Sequence, residues 1–214
     1  MDLEQSFLHH LAPTTESPMA LTFSKAKGVY LFDPAGNKYL DMISGIGVAN
    51  IGHSHPDVTS AVHEQVDSHM HLMVYGEFIQ KKQVTYAELV TKTLSKQLQC
   101  VYWVNSGTEA TEGAFKLAKR ITGRSEIISF KGSYHGSTLG ALSAMGYEKY
   151  KRAYRPLIPG HRQLNYNDIK SLDEISSRTA AVIVECIQAG SGYTKGTKEF
   201  ISELSLRCSA LGVM

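Results

Sequence analysis

Apolar and polar positions alternate along residues 28–42, GVYLFDPAGNKYLDM, on both sides of Asp33-Pro34-Ala35-Gly36-Asn37. That period of two, broken by turn formers, predicts a β-hairpin. The period then lengthens. Val58, Ala61, Val62 and Val66 recur at helical spacing over residues 56–69, and a second amphipathic helix is predicted over 84–98. From residue 101 strands and helices alternate. The predicted strands cover 101–105, 126–130 and 180–185, and the predicted helices 109–121, 137–144 and 198–210. The run AAVIVE, 180–185, is continuously apolar up to Glu185, as expected of a strand buried on both faces of a parallel sheet. The pattern is that of an α/β domain with a mainly parallel sheet and flanking helices, preceded by a smaller N-terminal segment.

Composition narrows the function classes. In 214 residues, 43% hydrophobic and 20% charged, the formal charge is +2 without any run of Lys or Arg, which argues against nucleic acid or an anionic membrane as partner. The first 18 residues carry acidic side chains and no apolar core of a secretory signal, and no stretch is apolar enough to span a bilayer. A cytoplasmic protein is expected. Cys100, Cys186 and Cys208 are odd in number and lack metal-site spacing, so they read as core thiols.

Three stretches carry candidate chemistry. The corner Asn105-Ser106-Gly107-Thr108 falls where a strand hands over to a helix, the edge at which α/β proteins bind ligands. Gly107 admits a ligand close to the backbone. The first helical amides and the Ser106 and Thr108 hydroxyls complete an anion cradle suited to phosphate. The same Ser106-Gly-Thr-Glu109 also forms a capping box, which needs no ligand. Gly113 within the helix hints at close packing against the sheet, since glycine there costs about 1 kcal/mol relative to alanine. The second stretch, FKGSYHGST at 130–138, brings Tyr134 and His135 to the same edge, where an aromatic ring could wall a flat heteroaromatic ligand or simply pack locally. The third is Glu185, which either reaches the site or caps a neighbouring loop. His53 and His55 in GHSHP lack a carboxylate partner in the motif, and no metal is expected there. Glu112 and Lys116, four apart, read as an ion pair on a solvated helix face.

The order GVYLFDPAGNKYLD, GHSHP, NSGTEATEGAFKLAKR, SYHGST, AAVIVECIQAGSG resembles the class III aminotransferases, fold type I enzymes dependent on pyridoxal 5'-phosphate, over nearly the whole chain. The resemblance implies a cofactor phosphate held by Ser106, Gly107 and Thr108, Tyr134 stacked on the pyridine ring, His135 close by and Glu185 in the same set. It also implies that Ile46, Tyr75, Phe78 and Ser137 lie in substrate-lining or dimer-contact regions, that residues 1–55 belong to a small domain and 56–214 to part of the cofactor-binding domain, and that the complete enzyme is a homodimer. The activity implied is transfer of an amino group from an amino acid or ω-amine to a 2-oxo acid. Ser137 stands where many acetylornithine and ornithine transaminases have Arg, and Ala189-Gly190 where many have Gly-Glu, so a carboxylate clamp and an acidic gate are missing. In the family, the strand that Val213 and Met214 begin leads to an Asp on the ring nitrogen, and the Lys that bonds the cofactor follows later. Neither occurs in these 214 residues, so this chain is expected to be an incomplete enzyme, inactive alone. A noncatalytic fragment or interaction module that keeps the cradle, and a mutase or decarboxylase using the same cofactor, are the alternatives.

Overall fold

The computed structural model describes residues 2–73 and 76–214. By its internal contacts the chain divides into two compact units, Met1–Thr85 and Tyr86–Met214.

The first unit holds α1 (Leu3–His10), a three-stranded antiparallel sheet of β1 (Lys25–Lys27), β2 (Tyr30–Phe32) and β3 (Lys38–Leu40), the short turn α2 (Ser44–Gly47), α3 (Pro56–Ser68) and the start of α4 (Lys81–Lys92). The predicted hairpin is β2 and β3, with Tyr30 opposite Leu40 and Phe32 opposite Lys38. Asp33 fixes its turn by accepting hydrogen bonds from the Asn37 backbone N–H and side-chain amide, both at 2.8 Å. Helix α3 matches its prediction closely, with Pro56 at its first position, where a missing N–H costs nothing. The second predicted helix is displaced. It starts at Lys81 and stops at Lys92, because the hydroxyls of Thr91 and Thr93 bond the Ala87 and Val90 carbonyls and the chain turns there. His53 is held by structure of its own: its Nε2 donates to Asp41 Oδ2 at 2.7 Å, and its backbone pairs with Gly28.

The second unit is the α/β part. Its elements are α5 (Gly107–Thr122), β4 (Glu126–Phe130), α6 (Leu139–Ala144), α7 (Glu148–Lys151), β5 (His161–Leu164), β6 (Thr179–Val182), the small pair β7 (Ile187–Gln188) and β8 (Thr194–Lys195), and α8 (Lys198–Leu211). The sheet has the order β5-β4-β6, with β4 parallel to both neighbours. Met214 N–H donates to Ala180 O and Met214 O accepts from Val182 N–H, the pattern of a parallel pairing with β6, as expected of residues 213–214. Apolar side chains pack on both faces of β4. Ile127 meets Phe115, Ala118, Ala144, Ala180 and Ala181, and Ile128 and Phe130 meet Leu164, Leu172, Phe200 and Leu204 from the other side. Ser129 is fully buried between them.

Several expectations are corrected. Residues 101–105 form no strand: 101–104 have no regular structure, the chain bends at Asn105, and the described neighbours of β4 and β6 are other segments. Strand β6 ends at Val182, Ile183 N–H makes one more bond to Ile128 O of β4, and the residues beyond bring Glu185 to the loop that follows β4. Helix α6 begins at Leu139, with Ser137 left in the preceding loop and Thr138 at the N-cap. Cys100 and Cys186 sit exposed in loops, and only Cys208 packs against the core. Gly113 makes no tight approach, since a Cβ there would meet the Tyr102 ring at an ordinary 3.9 Å. No helix among the described residues is long and apolar enough to cross a membrane.

Candidate functional site

Helix α5 sets the site. Ser106 is its N-cap, in extended backbone, and Ser106 Oγ accepts from Glu109 N–H at 3.2 Å. The Glu109 carboxylate reaches back one residue further, to Asn105 N–H at 2.8 Å. This is a variant of the predicted capping box, and it satisfies only some of the first-turn amides. The N–H groups of Gly107 and Thr108 have no acceptor among the described residues. They head a helix of 16 residues, whose dipole adds positive potential at that end.

A cleft of about 530 Å³ opens there, lined by Gly107, Thr108, Thr111, Tyr134, His135, Gly136 and Ser137. Thus five of the residues singled out in the sequence, Gly107, Thr108, Tyr134, His135 and Ser137, line one cavity. Ser106 is not part of the lining. Tyr134 is half exposed, and its hydroxyl lies 3.2 Å from Ser137 Oγ. His135 is nearly buried, its Nε2 has no hydrogen-bond partner, and burial pushes its pKa down to about 4.

Glu185 takes the second of its two predicted roles. Its Oε1 accepts from Tyr134 N–H at 2.9 Å, anchoring the loop, while Oε2 is buried without a partner. Burial raises its pKa, and the Tyr134 hydrogen bond opposes that rise. Ile46 and Phe78 are exposed residues of the first unit, and Tyr75 lies outside the described residues. Ile46 is held at φ +60°, ψ +53°, a left-handed conformation that a β-branched residue rarely adopts.

The loop carrying Tyr134 and His135 is fastened at several points, none of them visible as a motif. Thr111 Oγ1 donates to His135 O at 3.0 Å. Gly136, at φ +124°, passes so close to Thr108 that a Cβ would stand 2.4 Å from its Oγ1. A Cβ on Gly146 would likewise strike the backbone of Phe130, Gly132 and Ser133, where the loop leaves β4. Glu112 does not pair with Lys116 as the sequence suggested. Its Oε1 accepts from Thr138 Oγ1 at 2.6 Å, Gly140 N at 3.0 Å and Ala141 N at 3.2 Å. The Thr138 hydroxyl proton being given to Glu112, its oxygen accepts from Thr108 Oγ1, 2.7 Å away. The Thr108 hydroxyl is therefore engaged within the protein, and the donors that face the cleft at this corner are the two amides. The spacing of Glu112 from Ser106 gave no signal for this role, because its partners lie 26 to 29 residues away.

A phosphate group and a flat ring fit this set: two open amides at a helix N-terminus, an aromatic wall, and in the same lining His135, whose buried Nε2 lacks a partner.

Residues 11–214 match the family model described as aminotransferase class-III. A Pyrococcus horikoshii protein with the provisional name LysW-aminoadipate semialdehyde/glutamate semialdehyde transaminase is 42% identical over 187 residues, 86% of this chain and 50% of that protein. The acetylornithine aminotransferase of Halalkalibacterium halodurans is 38% identical over 208 residues, 97% of this chain and 53% of that one. Among solved structures, adenosylmethionine-8-amino-7-oxononanoate aminotransferase from Methanocaldococcus jannaschii superposes with a TM-score of 0.90 at 27% identity, covering 99% of this chain and 53% of that chain. The chain spans about half the length of the relatives it matches.

Proposed function

The chain belongs to the class III aminotransferases, and from that membership and the cleft we propose that it carries the pyridoxal 5'-phosphate site of an enzyme that moves an amino group from an amino acid or ω-amine to a 2-oxo acid. The observation that carries this reading is the pair of open amides, Gly107 and Thr108, facing the same cleft as the Tyr134 ring. The amides hold the phosphate, with Ser106 fixing the helix start behind them. Tyr134 would supply an aromatic surface for the ring, and His135, kept neutral by burial, would offer it a hydrogen-bonding nitrogen. Glu185 steadies Tyr134 by accepting a hydrogen bond from its backbone N–H. When bound, the cofactor supplies the electron sink for proton loss from the amino substrate.

In the same reading residues 1–55 belong to the small domain and 56–214 to the cofactor-binding domain, the working form is a cytoplasmic homodimer, and Ser137 faces the substrate. Ser137 is short and neutral, which disfavours donors recognised through a bidentate arginine clamp, N-acetylornithine among them. The test is a titration of the purified protein with pyridoxal phosphate and, separately, with pyridoxal. Saturable binding that weakens at least tenfold without the phosphate is expected, since charge-assisted hydrogen bonds are worth about 1.5–3 kcal/mol each. Equal affinity for the two would remove the phosphate from this corner.

A further inference from the structure

Thr138 occupies the N-cap of α6 yet makes no capping bond of its own. Its hydroxyl is turned toward Glu112 and Thr108, and the amides of Gly140 and Ala141, which an N-cap side chain would ordinarily serve, are bonded by Glu112. A carboxylate on one helix thus caps another. The same carboxylate lies at the end of a chain of hydroxyls that starts at Thr108, beside the open amides of the cradle. Two glycines leave room for it. A Cβ on Gly140 would stand 2.3 Å from Glu112 Oε2, and one on Gly136 would overlap Thr108. The ring-facing loop is therefore gripped between α5 and α6 by one half-buried acid.

We propose that Glu112 is a positioning residue that holds the aromatic wall, Tyr134 to Thr138, at a fixed distance from the phosphate amides, so that a ligand is bound by its phosphate and its ring together. This rests on reading the cleft as a pyridoxal phosphate site. The cradle itself does not depend on Glu112, because Ser106 caps α5 independently. Loss of Glu112 therefore affects the two halves unequally. Inorganic phosphate, which uses only the amides, should bind as before, whereas pyridoxal phosphate should lose the advantage that its ring confers.

The experiment compares the wild type with Glu112→Ala, Glu112→Gln and Gly140→Ala. Gly140→Ala leaves the acid in place but displaces its carboxylate. The readouts are the dissociation constants of pyridoxal phosphate and of inorganic phosphate, and amide hydrogen exchange over residues 134–141 without ligand. Glu112→Ala and Gly140→Ala should each weaken pyridoxal phosphate by about tenfold or more, leave inorganic phosphate within about twofold, and speed exchange in 134–141, with Glu112→Gln falling between because its amide oxygen still accepts. Equal weakening of both ligands would mean a merely structural acid and would overturn the proposal. So would unchanged exchange. A wild type that prefers pyridoxal phosphate no more than inorganic phosphate overturns the cofactor reading instead, and the exchange data still decide whether Glu112 clamps the loop. Should Glu112→Ala not fold, Glu112→Gln and Gly140→Ala carry the same comparison.

Discussion

Replacing Gly107 with alanine separates the two uses of the corner before α5. Gly107 is the first residue of the helix and its φ is ordinary, so alanine fits the backbone, and no atom lies within 4 Å of where its Cβ would stand. For the protein alone the change is neutral to favourable, at most about 1 kcal/mol of helix propensity. If the corner were only a cap, nothing else would follow. With a phosphate on the Gly107 and Thr108 amides, the new methyl occupies the space through which the anion approaches the backbone. Losing one charge-assisted hydrogen bond should cost about 1.5–3 kcal/mol, or roughly ten- to a hundredfold in affinity. The assay pairs thermal unfolding without ligand with a pyridoxal phosphate titration followed by absorbance. Unchanged melting with weakened binding is the expected result; unchanged binding would refute the phosphate assignment. Gly136→Ala is the contrasting control. Its Cβ would meet Thr108 Cα at 3.0 Å as well as the side chain, a clash that rotation does not relieve, so it should lower stability and affinity together.

Tyr134→Ala should weaken pyridoxal phosphate more than Tyr134→Phe, the ring being worth about 0.5–1.5 kcal/mol beyond its buried area, and equal losses on titration would shift the role to the hydroxyl. His135 and His161 are both pushed down to about 4 by burial, so between pH 6.5 and 4 the unfolded chain takes up protons that the folded chain refuses. Stability present above pH 6.5 should therefore fall as the pH drops toward 4, by up to ~3 kcal/mol for His135 and less for the more exposed His161. Urea unfolding at several pH values checks this, and a pH slope that His135→Asn leaves unchanged would contradict it. Ser137→Arg should raise activity toward N-acetylornithine in a donor panel on the complete enzyme; a wild-type preference for that donor with no gain in the variant would mean that another cation supplies the clamp.

What the sequence disclosed was local. The hairpin at Asp33–Asn37, the boundaries of β4 and the start of α5 all follow from patterns within a few residues, and each is found close to where it was expected. The errors came from pairing across the chain. Residues 101–105 have strand composition, but strands exist only beside a neighbour, and one edge of β4 is taken by β5, whose sequence HRQL carries no apolar alternation, the other by β6. The site divides in the same way. Gly107, Thr108, Tyr134 and His135 were legible as two loops at one sheet edge. Glu112 was misread as a surface ion pair because an i,i+4 Lys is a local cue, while Thr138 and Gly140, its partners, are brought to it only by folding.

Strand β4 acts as a gauge for the cleft. It is enclosed on both faces, with Ile127 and Ser129 toward one and Ile128 and Phe130 toward the other, and Tyr134 follows only four residues after its end. One added or deleted residue within 126–130 would exchange the two faces, burying the serine where a phenylalanine belongs. The separation between Tyr134 and the amides of α5 is therefore inherited from the hydrophobic core and not set by the loop alone. Changes of length should be accepted far from this strand and rejected within it, so that the specificity of the cleft can vary through single side chains such as Ser137 while its span stays constant.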